Sequence, residues 1–342
     1  MSNKLRLAII GCGSIAMHAH ASNYEKMDNV EIVALCDINP ERTALFKGKY
    51  QCCKNAWETV DYKDIAKSQD VDAVDICTPN YLHSIIAIEM LNAGKHVMTE
   101  KPDAMTADEV VAMKDAADKN GKVLMAMRNN RFLPASIYAK KSIENGEYGE
   151  FYAGRCGWVR RRGVPGDGSW FSNKKLSGGG PLIDLGVHMI DLAMYLMGNP
   201  KPVAVSGSTF RRITESKPEF IFDVEELAMG FIKFDNGACL QIDFSWATNI
   251  GNESRFVELR GEKAGIKIEN DVLSVHGHKN GQEYNEHVNA RGEYGHYTAL
   301  QHFIDVVLNG AEPIFTPDQG IEMIKILNAL YESAETGKEV LL

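Results

Sequence analysis

Short apolar runs alternate with helix-like spacing of apolar and polar residues through the first third of the chain. The runs have the length of buried strands, and helical patterns lie between them. This alternation predicts a doubly wound parallel sheet with right-handed crossovers. The predicted strands are Leu5 to Ile10, Val30 to Cys36, Ala73 to Cys77, His96 to Thr99 and Val123 to Met127.

The alternation of strands and helices ends near Pro134, and the rest of the chain predicts a different architecture. We predict an α/β protein with a parallel-sheet domain at residues 1–125 and, at residues 126–342, an α+β domain with a large, mainly antiparallel sheet. Asp235-Asn236-Gly237 predicts a hairpin, and His276 and His278 fall in a turn-like stretch. The strands predicted here are Glu150 to Arg160, Pro202 to Arg212, Glu225 to Phe234, Ala238 to Ser245 and Phe256 to Leu259, and the last helices are Tyr294 to Leu308 and Pro317 to Glu335.

The most apolar helical pattern starts at Pro181, which suits a first helical position, and stops at Gly198. A loop of three glycines, Gly178 to Gly180, leads into it. At about 3.6 residues per turn the remaining faces are apolar, so the helix is expected to be buried nearly all round. A single polar stripe is formed by Asp184, His188, Asp191 and Tyr195.

Asp184 and His188 lie four positions apart, within reach of each other on a helix. A carboxylate beside an imidazole favours the protonated ring and fixes its orientation, so the pair suits a general acid/base near neutral pH. A core ion pair is the structural alternative. A metal site shared by the two side chains has less support, because no further His or Cys lies at ligand spacing nearby.

Composition narrows the classes of protein. With 342 residues, 44% hydrophobic and 24% charged, the chain suits two soluble globular domains. A formal net charge of -9 argues against a nucleic-acid partner, and the cluster Arg160 to Arg162 is too short to reverse it. Neither a signal peptide nor a membrane span is predicted, and the seven cysteines lack a Cys-x-x-Cys pair, so reduced thiols and a cytoplasmic location are expected.

The first predicted strand runs directly into Gly11-Cys12-Gly13-Ser14-Ile15-Ala16 and then into a helical pattern. This is the Gly-x-Gly-x-x-Ala fingerprint of a Rossmann dinucleotide site. Gly11 would permit a tight turn and Gly13 a close approach of pyrophosphate, while Ala16 would let helix and strand pack closely.

Asp37 stands at the end of the second predicted strand. A carboxylate there accepts hydrogen bonds from an adenosine ribose and repels a 2′-phosphate, which favours NAD over NADP, although NADP remains an option. In the alternative interpretation, Asp37 only caps the helix that begins near Pro40.

Other polar segments follow strand ends, where doubly wound sheets bind ligands. They are Thr78-Pro79-Asn80 with His83, Glu100-Lys101-Pro102, and Arg128 to Arg131, and we expect them to line one crevice with the glycine turn. Lys101 is suited to hold a substrate oxygen or share its proton, the alternative being a solvated surface lysine. His18 and His20 receive no role.

Trp158 and Trp170 flank the loop-like segment from Arg160 to Trp170. They would offer apolar faces to a sugar or a nicotinamide, or else pack for stability alone.

Taken together, Gly11 to Ala16, Thr78-Pro79-Asn80 with His83, Glu100-Lys101-Pro102, and Gly178-Gly179-Gly180 leading to Asp184 and His188 resemble the glucose-fructose oxidoreductase, inositol dehydrogenase and rhizopine-catabolism protein (Gfo/Idh/MocA) family. The segment Tyr297 to Val340 is similar to that family's ending. The likeness thus covers almost the whole chain.

The resemblance implies an NAD(P)-dependent oxidoreductase of a secondary hydroxyl on a sugar, cyclitol or sugar derivative. Lys101, Asp184 and His188 match the family's catalytic lysine, substrate-orienting aspartate and acid/base histidine. It also implies a homodimer or homotetramer. The alternatives are an NAD-recycling glycoside hydrolase or lyase that acts through a 3-keto sugar, and a non-catalytic regulator.

Residues and resemblance together predict a cofactor site and no metal site. The predicted cofactor-binding residues are Gly11, Gly13, Ser14, Ile15, Asp37, Thr78, Asn80, His83, Glu100, Lys101, Asn129 and Trp170.

Overall fold

A computed structural model describes residues 4–166, 168–215, 220–292 and 295–342. The chain folds as two compact units, and it passes between them three times. The parallel-sheet unit comprises residues 1–129 and 294–321. The mixed-sheet unit comprises residues 130–293 and 322–342.

The parallel-sheet unit contains β1 Leu5–Ile10, β2 Val30–Cys36, β3 Trp57–Thr59, β4 Ala73–Ile76, β5 His96–Thr99 and β6 Leu124–Ala126. They form one sheet in the order β3-β2-β1-β4-β5-β6, and every neighbouring pair is parallel. The predicted doubly wound sheet is therefore confirmed, with β3 as an edge strand that the sequence pattern missed. The strand order reverses between β1 and β4, and a crevice opens at the carboxyl ends of strands at such a point.

The mixed-sheet unit contains β7 Phe151–Val159, β8 Pro202–Phe210, β9 Leu227–Phe234, β10 Cys239–Ser245, β11 Ser254–Gly261, β12 Ala264–Glu269, β13 Val272–Lys279, β14 Gln282–Val288 and β15 Val340–Leu341. Their order is β14-β13-β12-β11-β7-β10-β9-β8-β15. All neighbouring pairs are antiparallel except β7 with β10. The mainly antiparallel sheet is confirmed, and the hairpin at Asp235-Asn236-Gly237 joins β9 to β10.

The turn-like assignment of His276 and His278 is wrong, because both lie on β13. Two-residue turns bound this strand, at Asn270-Asp271 and at Asn280-Gly281, and all four turn residues have positive φ angles. That backbone conformation matches the twist of tight hairpins and is readily adopted by Asn, Asp and Gly.

The α-helices are α1 Ser22–Tyr24, α2 Pro40–Lys49, α3 Tyr62–Lys67, α4 His83–Asn92, α5 Ala107–Asn120, α6 Pro134–Glu144, α7 Lys174–Ser177, α8 Val187–Leu196, α9 Gly295–Asn309 and α10 Pro317–Thr336. Segments of π-helix, Ala16–Ala21 and Leu182–Gly186, lead directly into α1 and α8. Tyr294, where α9 was predicted to begin, lies outside the described residues. Within the described ranges, none of the helices combines the length and the apolar character needed to cross a bilayer.

Candidate active site

The glycine turn after β1 has the predicted tight geometry. Gly11 has a φ of +93°, and a Cβ on it would lie 2.6 Å from the carbonyl oxygen of Cys77, so only glycine is accommodated without strain. Gly13 differs, because a Cβ there would meet no described atom within 4 Å. Space is therefore open beside the turn, at the start of the helix where Ser14 and Ile15 are exposed.

Asp37 lies just beyond β2 and supports the glycine turn directly. Its Oδ2 accepts the Cys12 N–H at 2.8 Å, and its Oδ1 accepts the Asn39 N–H at 2.8 Å. The capping interpretation is wrong, because the side chain of Asn39 caps α2 by accepting the Glu41 N–H. A carboxylate has about four lone-pair directions, so Asp37 retains acceptor capacity for a ribose.

His83 fixes the segment that follows β4. The ring of His83 is fully buried and bridges main-chain oxygens, with Nδ1 at 2.7 Å from that of Pro102 and Nε2 at 2.9 Å from that of Thr78. Burial lowers the pKa of His83. The Thr78 hydroxyl is buried and has no hydrogen-bond partner among the described residues. Asn80, also buried, begins a 3-10 helix at Asn80–Leu82.

Glu100 and Lys101 follow β5 in the same unit. The Glu100 N–H continues the sheet by donating to the Ile76 carbonyl oxygen at 2.8 Å, and its side chain is buried. Lys101 is half-buried, and its peptide bond to Pro102 is cis.

The expectation that Arg128 and Arg131 line a crevice is wrong. Both side chains are almost fully buried and ion-paired, Arg128 with Asp103 and Arg131 with Asp191. A buried guanidinium requires such a carboxylate, and the sequence does not show which distant residue supplies it. Asn129, between the two arginines, is half-buried at the start of the 3-10 helix Asn129–Phe132.

The groups at the carboxyl ends of β1, β2 and β4 fit a dinucleotide. The open space at Gly13 and at the start of the helix suits a pyrophosphate, and the Asp37 carboxylate suits the adenosine ribose. The buried Thr78 hydroxyl has no partner among the described residues, so it is available to a ligand.

In the mixed-sheet unit, the glycine-led helix runs from Leu182 through the π-helical segment to Leu196, and Gly198 follows with a φ of +85°. The predicted helix is confirmed, and its π-helical start was not predicted. Every residue from Pro181 to Leu196 is buried except Asp184, His188 and Tyr195, which are half-buried. These three belong to the predicted polar stripe, and the fourth member, Asp191, is buried.

The two candidate catalytic side chains of this helix lie beside tryptophans. Asp184 Oδ2 accepts the Trp246 indole N–H at 3.0 Å. The ring centroids of His188 and Trp158 are 5.9 Å apart. The guanidinium groups of Arg160 and Arg255 lie over Trp158, at 4.7 and 5.1 Å from its ring centroid. An indole held in this way limits where the imidazole of His188 can turn.

Trp170 opens the 3-10 helix Trp170–Ser172 and is half-buried. Its ring stacks on that of Phe171 with centroids 3.9 Å apart. Asp167, within the loop that leads to it, lies outside the described residues.

Glu225 anchors the start of the helix that carries Asp184 and His188, a role that the sequence did not reveal. Its buried carboxylate accepts hydrogen bonds from the N–H groups of Gly180 and Leu182 at 2.9 and 3.0 Å and from the Tyr331 hydroxyl at 2.9 Å. Burial raises the pKa of Glu225 against these three donors. The prediction of a strand that starts at Glu225 is wrong at that end, because β9 begins at Leu227.

This fold and these residues define a dinucleotide-dependent oxidoreductase with a separate α/β domain. Residues 5–127 match the family model described as "Oxidoreductase family, NAD-binding Rossmann fold", and residues 140–342 match "Oxidoreductase family, C-terminal alpha/beta domain". The chain belongs to the Gfo/Idh/MocA family and is an NAD(P)-dependent oxidoreductase.

Relatives extend the similarity over the full length. The chain is 36% identical to D-glucoside 3-dehydrogenase of Escherichia coli K12, over 99% of this chain and 98% of that protein. It is 33% identical to levoglucosan dehydrogenase of Pseudarthrobacter phenanthrenivorans over 61% of this chain and 58% of the relative. A solved levoglucosan dehydrogenase in complex with NADH and levoglucosan superposes with a TM-score of 0.89 at 27% identity, covering 99% of each chain.

Proposed function

We propose that this protein oxidises a secondary ring hydroxyl of a glucoside or a related sugar derivative to a ketone, with NAD as the oxidant. The observation that carries the proposal is the half-buried pair Asp184 and His188 on a helix that is otherwise almost entirely buried. The full-length similarity to a D-glucoside 3-dehydrogenase supports the substrate class. In its broader form, the proposal also includes sugars and cyclitols other than glucosides as substrates.

The reaction requires that the hydroxyl lose its proton as the carbinol carbon loses hydride. A ring nitrogen of His188 takes the proton and later releases it to water, so the products are a ketone, NADH and one proton. Asp184 orients the His188 ring and contacts a second hydroxyl, while Lys101 stabilises negative charge on the reacting oxygen. The nicotinamide cofactor, when bound, supplies the hydride acceptor.

The cofactor residues remain those predicted from the sequence. In the parallel-sheet unit, Gly11, Gly13, Ser14 and Ile15 bind pyrophosphate and Asp37 binds the adenosine ribose. Closer to the nicotinamide we assign Thr78, Asn80, His83, Glu100, Lys101 and Asn129, and in the mixed-sheet unit Trp170.

The experiment is a substrate panel read by NADH formation. Alkyl glucosides, free hexoses, inositols and uronates are offered with NAD and, in parallel, with NADP, and the ketone position is identified by NMR. His188→Ala should lower kcat by about 10²–10⁴-fold, because a positioned general base contributes that much. His278→Ala is the matched control, since His278 is exposed in the same unit.

Near-normal turnover by His188→Ala on an identified substrate would contradict the assignment. Cleavage of a glycosidic bond without net NADH formation would instead indicate redox-neutral hydrolysis through a 3-keto sugar. Absence of both NADH and cleavage across the panel would contradict the proposed substrate class.

We also propose a cytoplasmic homo-oligomer, a dimer or a tetramer. All seven cysteines are free thiols, which suits a reducing compartment. On the mixed sheet, Tyr152, Met229 and Phe231 are large apolar residues with exposed side chains, and such a surface suits contact with another copy. Light scattering during size-exclusion chromatography measures the mass directly, and a monomer would contradict the proposal.

A further inference from the structure

The parallel-sheet unit contains a buried polar cluster, of which the proposed function uses only Glu100, as a cofactor residue. It connects the helix after the glycine turn to the ends of β4 and β5, and each member is at most 7% exposed. We call it the His20 cluster, and its members are His20, Tyr24, Asp75, Cys77 and Glu100.

His20 lies between two carboxylates. Its Nδ1 is 2.7 Å from Asp75 Oδ2, and its Nε2 is 2.8 Å from Glu100 Oε1. An ionised carboxylate only accepts hydrogen bonds, so both ring nitrogens carry a proton when both acids are ionised. With both acids ionised, the arrangement is a buried imidazolium between two carboxylates.

The charge states follow from burial and contact. Burial by itself lowers the pKa of His20, but the Asp75 carboxylate and the Cys77 side chain raise it well above its ordinary value. Burial raises the pKa of Glu100, but the hydrogen bond and charge of His20, together with the charge of Lys101, lower it far below its ordinary value.

Neighbouring elements complete the surroundings of the ring. The Tyr24 hydroxyl donates to Asp75 Oδ2 at 2.9 Å, and the Cys77 sulfur lies 3.7 Å from His20 Nδ1. From α9, the ring of His296 lies 6.2 Å from that of His20, and burial lowers the pKa of His296 to about 4. His296 is therefore neutral near pH 7 and adds no charge.

A metal ion is a poorer fit for the same atoms. The ligand atoms of His20, Asp75 and Cys77 lie within 4.8 Å of one another. Burial and the Asp75 charge raise the pKa of Cys77 to about 12, however, so the sulfur is a thiol rather than the thiolate that metals bind. Both ring nitrogens are already engaged by carboxylates.

The cluster ends at Lys101. The second oxygen of Glu100, Oε2, accepts the main-chain N–H of Lys101 at 3.0 Å. A carboxylate held at one oxygen by His20 thus holds the main chain of the next residue with the other.

We infer that His20 is a positioning residue that, as a buried imidazolium, fixes the Glu100 carboxylate and through it the main chain and side-chain origin of Lys101. The inference rests on the proposed role of Lys101 in catalysis. A misplacement of a catalytic group by about 1 Å can cost about 10²-fold in rate, so the effect of losing His20 should appear in kcat.

The first test needs no substrate. Protein labelled with 15N-histidine is titrated with base and followed by NMR. One imidazole ring should keep both of its N–H protons at pH values well above 6.5, the ordinary pKa of histidine. That signal should vanish in His20→Gln and titrate at lower pH in Glu100→Gln. A wild-type protein in which every histidine ring loses a proton near its ordinary pKa would overturn the inference.

The second test follows the Lys101 amide by hydrogen exchange. Exchange should become at least about tenfold faster in His20→Gln and in Glu100→Gln, because the acceptor is no longer held. His18→Gln is the matched control, since His18 is exposed on the same helix. Unchanged protection in both variants would overturn the inference, and the wild-type NMR result decides the charge state even if the variants fold poorly.

The third test is kinetic. With an identified substrate, His20→Gln should lower kcat by about 10- to 100-fold while the KM for the sugar stays within about threefold. A kcat within about twofold of wild type would refute the link to Lys101. Failure of the proposed function would look different: the wild type would oxidise no sugar, whereas the NMR and exchange results would stand.

Discussion

Asp37 combines support of the glycine turn with the proposed choice of cofactor. One oxygen holds the Cys12 N–H, so removal of the whole side chain would disturb the turn as well as the cofactor. The Arg42 guanidinium lies 3.8 Å from the same carboxylate. A conservative substitution therefore removes the charge while an amide oxygen can still hold the Cys12 N–H.

In Asp37→Asn we expect the preference for NAD over NADP to fall at least about tenfold, equivalent to about 1.4 kcal/mol. The amide oxygen can still accept the Cys12 N–H, but the amide NH2 group cannot accept the Asn39 N–H. The side chain no longer repels a 2′-phosphate and leaves Arg42 to bind it. The ratio of kcat/KM with the two cofactors measures the change. Asp28→Asn, an exposed acid in the same unit, is the control. An unchanged ratio would show that Asp37 does not select the cofactor.

At this scale the sequence was most informative where a residue type has one use, as with Gly11, which was predicted to permit a tight turn and has a φ of +93°. It was least informative for buried polar pairs, since Asp75 and Glu100 are far from His20 in the chain. A signal for His20 did exist: it follows Ala16 by four positions on a helix, and Ala16 was predicted to pack against a strand. A histidine on that face has to be buried and paired.

Among the elements, the helix from Leu182 to Leu196 depends most on the residues that precede it. A Cβ on Gly179 would overlap the Tyr331 hydroxyl, and one on Gly180 would overlap the Glu225 carbonyl oxygen. Small residues are therefore required before the helix because the Glu225 carboxylate must reach the N–H groups at its start. The helix was predictable from its apolar faces, but Glu225 was not, because its partners lie in another part of the chain.

Gly180→Ala should lower the free energy of unfolding by about 1–3 kcal/mol, because the added methyl group overlaps main-chain atoms of the buried residue Glu225. It should also reduce kcat by displacing Asp184 and His188. Gly251→Ala is the control, since a Cβ there meets no described atom within 4 Å, and its effect should stay within about 0.5 kcal/mol. Urea unfolding monitored by fluorescence measures the free energy of unfolding of both variants. Equal stability of the two variants would disprove the packing argument.

The strands β12 to β14 show a missed signal of another kind. Their apolar positions alternate with polar ones, and most residues of β14 are exposed, so few apolar residues mark it. The dipeptide Asn280-Gly281 is nonetheless a strong hairpin signal. Turn chemistry, rather than hydrophobicity, would have revealed this part of the sheet.

Across the whole molecule, the His20 cluster makes stability depend on pH. The pKa of His20 is raised from 6.5, so its contribution is complete below pH 6.5 and is lost as the pH rises through the folded-state value. The pKa of Glu100 is lowered from 4.5, so its contribution is present above pH 4.5 and is lost as the pH falls through the folded-state value. Together they stabilise the fold most between these two pH values.

We therefore expect the difference in unfolding free energy between wild type and His20→Gln to be largest near pH 6 and to shrink steadily as the pH rises. Loss of one partner of a buried ion pair typically costs about 3–5 kcal/mol where the pair is charged. Urea titrations at a series of pH values measure the difference, with His18→Gln as the control. A difference that stays constant or grows above pH 6.5 would contradict the assigned charge of His20.

The parallel arrangement of the first strands was predicted from local patterns, whereas the return of the chain to the parallel-sheet unit was not. Residues 294–321 belong to that unit, and α9 within them buries Leu300, Phe303 and Ile304. No local pattern states which sheet a late amphipathic helix will cover. The predicted division into domains at residues 1–125 and 126–342 remains a prediction.

That returning segment limits how the protein can be recombined with its relatives. A chimera that exchanges only the first 129 residues would place the original α9 against a foreign α1 and a foreign helical segment Ala16–Ala21. The mismatched interior would resemble multiple core mutations. An exchange of cofactor preference by grafting thus requires two inserts, the amino-terminal part and residues 294–321, transplanted together from one donor.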